Sequence, residues 1–157
     1  MKTNLALLAL ICLPWMANAQ LSGTYTVGGT TPNYPTLDSA VNHLEAVGVS
    51  GAVTFNIRQG TYSTQVQLDS VQGTSSSNTV TFKSDPANTS DVWIQYSASS
   101  SSANFVWKFN GSDHIRLLNL KFRSLGTSYS RNIEFGLLTD DIVIDSCTFY
   151  NGYSGTS

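Results

Sequence analysis

Residues able to act on a ligand or hold one are sparse in this chain and fall into three groups. Asp140, Asp141 and Asp145 form the densest acidic group. Carboxylates so close together can supply oxygen ligands to Ca²⁺, the one cofactor for which the chain offers donors. Asp140, however, stands 27 residues after Asp113, and each comes just before an apolar stretch. That is where Asp commonly bonds the backbone of a turn, so the structural role is preferred and no cofactor or metal is expected. Arg116, Lys121 and Arg123, with Lys108 shortly before them, alternate with apolar residues and so should face outward. Such side chains can take a proton or grip an anionic sugar, although polar residues on outward positions are also what keeps any protein soluble. His114 has no second His beside it and reads as a turn residue. Trp93, between apolar Val92 and Ile94, should point outward, where with Tyr129 or Tyr153 on a projecting loop it could stack on the apolar face of a sugar ring. The carbohydrate-binding candidates are therefore Trp93, Tyr129, Arg116, Lys121 and Arg123, and no catalytic set is visible.

The elements that must position these residues repeat. Ile115, Leu117, Leu120 and Phe122 have offsets of two, three and two, and so do Ile142, Ile144, Cys147 and Phe149, 27 residues later. A flat strand alternates with a period of two, so one extra residue in the same place in both stretches predicts a corner between two strands. Trp107 and Phe109 before the first stretch, and Ile133 and Phe135 before the second, complete circuits of three short strands. Repeats of this period mean stacked units that bury their apolar faces only against one another. The fold class expected is all-β, a parallel β-helix. A β-sandwich also accommodates short strands and turns, but its strands need not repeat in register.

Upstream, Leu21 to Val27 reads as a strand. Thr36 can cap a helix over 36–47, with Leu37, Ala40, Val41 and Leu44 on one face, His43 on the solvated side and Gly48 as the stop. Residues 20–52 are thus expected to form an N-terminal cap and 53–157 the coils. The loops Ser97 to Ser102 and Ser124 to Arg131 should project from one side.

The 157 residues include 8 basic and 10 acidic ones, a net charge of −2 without a Lys/Arg cluster, which argues against nucleic-acid and anionic-membrane partners. Lys2, the apolar run Leu5 to Leu13, and Ala17-Asn18-Ala19 before Gln20 form a secretory leader. That run is too short to span a bilayer. A secreted or cell-surface protein starting near Gln20 is expected, with 1–19 removed and Cys12 lost. Cys147 is then the sole cysteine, placed as a core filler.

Tyr34-Pro35-Thr36-Leu37-Asp38-Ser39-Ala40-Val41, Gly51 to Ile57, Gly60-Thr61-Tyr62 and Asn78 to Phe82 together resemble a known opening. It is that of right-handed parallel β-helix proteins of the pectin-lyase-like superfamily. More narrowly, the chain is similar to the large proteins that Gram-negative bacteria export by a type IX secretion system, which end in a C-terminal sorting domain. The resemblance covers nearly all of Leu21 to Asn151. It implies fold and address but not activity, since such proteins include lyases, hydrolases, esterases and adhesins. None of their catalytic sets carries over, and Ile144 to Phe149 is only faintly similar to a short run of pectate lyases. The expectation is the N-terminal part of an exported glycan-binding or adhesion scaffold, whose partners are extracellular polysaccharide or cell-surface glycan. The alternative is a polysaccharide lyase or glycoside hydrolase with its catalytic coils beyond residue 157. An uncapped last coil would leave apolar side chains and strand edges open, so further coils or a sorting domain are expected to follow.

Overall fold

Among the described residues every strand pairs in parallel with the strand one coil away, and the pairs build three sheets. The structure is a computed structural model and describes residues 19–88 and 91–151. The leader expected at 1–19 lies outside the described residues except for Ala19, as does Tyr153. Strands β1 (Leu21–Val27), β2 (Val49–Ile57), β3 (Gly60–Ser63), β4 (Val66–Asp69), β5 (Val80–Ser84) and β6 (Val92–Tyr96) make the first half. They are followed by β7 (Trp107–Asn110), β8 (Asp113–Leu118), β9 (Lys121–Ser124), β10 (Ile133–Phe135), β11 (Asp140–Asp145) and β12 (Thr148–Asn151). Sheet A has the order β1-β2-β5-β8-β11, sheet B β3-β6-β9-β12 and sheet C β4-β7-β10. This is a parallel β-helix, and because every strand pairing is parallel it is not a sandwich.

The register follows from which side chains need burial. In sheet A, Phe55, Phe82, Leu117 and Ile144 pair in succession as one inward row. In sheet B the inward row is Tyr62, Ile94, Phe122 and Phe149. A one-residue slip would turn each row to solvent, so burial holds the register. The rows stack their rings: Phe55 lies 4.9 Å from Phe82, Phe109 5.4 Å from Phe135, and Phe122 5.5 Å from Phe149. Trp107, fully buried, meets Phe82 edge-on at 5.1 Å. Burying each such ring contributes roughly 2–3 kcal/mol, which offsets the ordering entropy of many short strands.

The extra residue predicted between the last two strands of each coil is Asn119 in one and Ser146 in the next. Both adopt the left-handed conformation, φ 54° and 53°, and turn the chain from sheet A to sheet B. The corners stack through the Asn119 N–H, which donates to the Asp145 carbonyl at 3.1 Å, and the Thr148 N–H, which donates to Leu120 at 2.9 Å.

Helix α1 (Leu37–Val47) begins with a capping box: the Ser39 N–H donates to Thr36 Oγ1 at 3.1 Å and the Thr36 N–H to Ser39 Oγ at 3.2 Å. It ends at Gly48, φ 69°, where an added Cβ would meet the Gln72 carbonyl oxygen at 2.4 Å. Its apolar face, Leu37, Ala40, Val41 and Leu44, is buried against β1, β2 and β4. The helix thus covers the apolar interior at the first coil, while His43 stays exposed and shares a 2.7 Å hydrogen bond with the Tyr34 hydroxyl.

Candidate functional site

The outward face of sheet B gathers what the sequence could only scatter. Because inward Val92 and Ile94 flank Trp93, the pleat forces its ring outward, and the same alternation turns out Lys121 and Arg123 around buried Phe122. Two outward rows result. Thr61, Trp93, Lys121 and Thr148 pair in one, and Ser63, Gln95, Arg123 and Tyr150 in the other. From β3 to β12 these rows cross three strand spacings, about 14 Å along the coil axis.

Within this strip the side chains lean on one another. Arg123 lays its guanidinium 4.0 Å from the centroid of the Trp93 ring and 6.0 Å from that of Tyr150. The Trp93 and Tyr150 rings are themselves 5.1 Å apart, reaching across the intervening strand β9. Lys121 places its ammonium 5.2 Å from the Trp93 centroid and is paired with the Asp91 carboxylate. A cation over an aromatic face is worth about 0.5–1 kcal/mol at an exposed site and more where water is excluded. Tyr150 is held from behind by Asn132, whose Nδ2 donates to the Tyr150 carbonyl at 3.1 Å and to Asn151 Oδ1 at 2.9 Å. At the far end of the strip, Gln95 Nε2 donates to Ser63 Oγ at 3.2 Å.

Of the five residues selected from sequence, three therefore meet: Trp93, Lys121 and Arg123. Arg116 lies on sheet A, in the outward row after Thr54 and Thr81, and faces another side of the coil. Lys108 faces a third side, on sheet C, 3.2 Å from Glu134. Tyr129 is half-buried on the loop between β9 and β10 and makes no ring contact with Trp93 among the described residues. Tyr150 takes the partner's position instead, and it was legible: it stands 27 residues after Arg123, the repeat interval that places it one coil on. The loops after β6 and β9 leave sheet B at the same level, where Tyr96 pairs with Ser124 and the Leu125 N–H donates to the Tyr96 carbonyl at 2.8 Å.

The acidic group at β11 is tied into local bonds. The Asp113 carboxylate accepts the Asp140 N–H at 2.7 Å, the Asp140 carboxylate accepts the Asp141 N–H at 2.8 Å, and Asp141 pairs with His114. Asp145 accepts from Ser146 Oγ at 3.2 Å. Among the described residues no three Asp, Glu, His or Cys side chains converge as metal ligands would. Cys147 donates its thiol to the Leu117 carbonyl at 3.4 Å, and burial foremost, with the Asp145 charge adding to it, pushes that thiol above its ordinary range. Such a thiol is mostly protonated and a poor nucleophile at neutral pH.

In comparisons with known proteins, no family model, no curated protein and no solved structure matches this chain.

Proposed function

We propose that the outward face of sheet B binds extracellular polysaccharide or cell-surface glycan, and that the chain is the N-terminal part of an exported bacterial surface scaffold. The observation that carries the reading is the convergence of Trp93, Arg123 and Tyr150 from three successive coils. Aromatic rings and Arg are the residue types that dominate binding energy at recognition surfaces, and a strip along the coil axis suits a linear chain of sugars. Lys121, Gln95 and Ser63 beside the rings provide donors and acceptors for hydroxyl groups.

The address follows from the leader residues, Lys2, Leu5 to Leu13 and Ala17-Asn18-Ala19. The proposed kinship is with right-handed, pectin-lyase-like β-helix proteins of the type IX secretion kind, supported by the segments from Tyr34 to Phe82 that resemble them. At the last described coil Phe135, Phe149 and Leu138 are 58%, 45% and 89% exposed, although the first two continue buried ring columns.

The test is retention of the exported chain on immobilised dextran, cellulose, hyaluronate and dextran sulfate. The wild type should be retained by at least one of these, Trp93→Ala should lose about tenfold or more in affinity, and Arg116→Ala on sheet A should not. Retention that ignores Trp93, or no retention on any of the four, would contradict the proposal.

A further inference from the structure

We infer that the glycan on sheet B is acidic, and that Arg123 holds its carboxylate or sulfate group; this rests on the glycan reading above and sharpens it. Of the seven Lys and Arg side chains in the described residues, four are in ion pairs: Arg58 with Asp85, Lys108 and Arg131 with Glu134, and Lys121 with Asp91. Arg123 has no carboxylate within 4.0 Å and no side-chain hydrogen bond among the described residues, although it is half-buried against the Trp93 ring. Lys83 and Arg116 are also unpaired there, but no aromatic ring holds either of them in place.

That difference matters chemically. Contact with the Trp93 ring leaves the five coplanar N–H donors of the guanidinium without a protein acceptor among the described residues, so they are available to a ligand. Two parallel donors match the two oxygens of a carboxylate or sulfate, and a charge-assisted pair of this kind is about twice as strong as a neutral hydrogen bond. The contact with Trp93 restricts the side chain beforehand, which lowers the ordering cost of binding. A neutral sugar stacking on this face of Trp93 would have to displace Arg123, whereas an acidic one meets it. Asp91 neutralises Lys121 alongside, so the strip offers one directed cation and not a diffuse basic patch. The chain's net charge of −2 gives no general attraction to polyanions.

The experiment compares the exported chain's affinity for dextran with that for length-matched dextran sulfate and for hyaluronate, at fixed ionic strength. Dextran sulfate, hyaluronate or both should bind at least about tenfold more tightly than dextran. Which of the two is preferred identifies sulfate or carboxylate as the group held. Arg123→Gln should abolish the preference, and Arg123→Lys should restore only part of it, because an ammonium supplies charge without the planar fork. Equal affinity for dextran and the acidic polymers, lost in Trp93→Ala, would overturn the acidic inference and leave the glycan reading standing. A preference for acidic polymers unchanged in Arg123→Gln would overturn the assignment to Arg123. Absence of binding to every polymer would overturn both. The comparison of polymers on the wild-type chain decides the first point even if a variant does not fold.

Discussion

Arg123 and Trp93 sit on neighbouring strands one diagonal step apart, with the guanidinium 4.0 Å from the centre of the indole. Their contact makes the strip on sheet B a preformed arrangement and not two independent surface residues. A double-mutant cycle on thermal stability, using Trp93→Ala and Arg123→Ala, should give a coupling of about 0.5–1 kcal/mol. Additive losses would mean that the two side chains do not hold each other in solution.

The inward row of sheet A makes a harsher prediction. Leu117 is fully buried between Phe82 and Ile144 in register. Leu117→Asp places an unpaired carboxylate there and should destabilise by about 3–5 kcal/mol, read from urea unfolding. A tolerated aspartate would mean that the row is not inward.

At the corners, Asn119 and Ser146 perform the same turn with φ near +54°. Asn adopts the left-handed conformation more readily than Ser, because its side chain bonds the local backbone. Ser146→Asn should therefore raise the melting temperature, by the equivalent of about 0.5 kcal/mol, and Asn119→Ala should lower it by about 1 kcal/mol. The reverse order in calorimetry would show that the corners are set by something other than backbone preference.

How much of this was visible beforehand depended on sequence distance. The offsets of Ile115 to Phe122 and Ile142 to Phe149 are local, and they predicted the corners, the inward rows and the parallel coil. That Trp93 and Arg123 face outward followed from the same alternation. That they face outward together did not, because it depends on how β6 registers on β9 across an intervening coil that includes the serine-rich loop 97–102, which carries no alternating apolar pattern. Arg116 and Lys108 show the converse: near neighbours of Arg123 in sequence, they face different ways because the chain turns a corner on either side of β8. Projecting loops point to Tyr129 or Tyr153 as the aromatic partner of Trp93, whereas the repeat interval places Tyr150 beside Arg123.

Two carboxylates should make stability respond to pH in opposite ways. Burial pushes the Glu134 carboxyl up, but the hydrogen bonds and charges of Arg131 and Lys108 outweigh it and hold the group below its ordinary value. Its contribution is then fully present above the unfolded carboxylate value of about 4.3 and is lost as pH falls through the lower folded value. Glu45 is lifted, first by burial and then by the Asp69 charge, against the Asp69 N–H that donates to it at 2.7 Å. A raised carboxyl costs stability as pH rises through its folded value. Glu134→Gln should thus flatten the acid side of the stability profile, and Glu45→Gln, which keeps the acceptor, should gain stability at neutral pH but not at pH 4. Profiles unchanged by both variants would contradict these assignments.

The most direct measurement is a ¹H–¹⁵N spectrum of the tryptophan indoles of residues 20–157 during titration with dextran sulfate oligosaccharides. Residues 20–157 hold two, half-exposed Trp93 on sheet B and fully buried Trp107 in the core. Binding to the strip predicts that the Trp93 indole N–H shifts with saturation while that of Trp107 stays in place. Saturable binding that leaves Trp93 unmoved, with backbone shifts gathered instead around Arg116 on sheet A, would contradict the account.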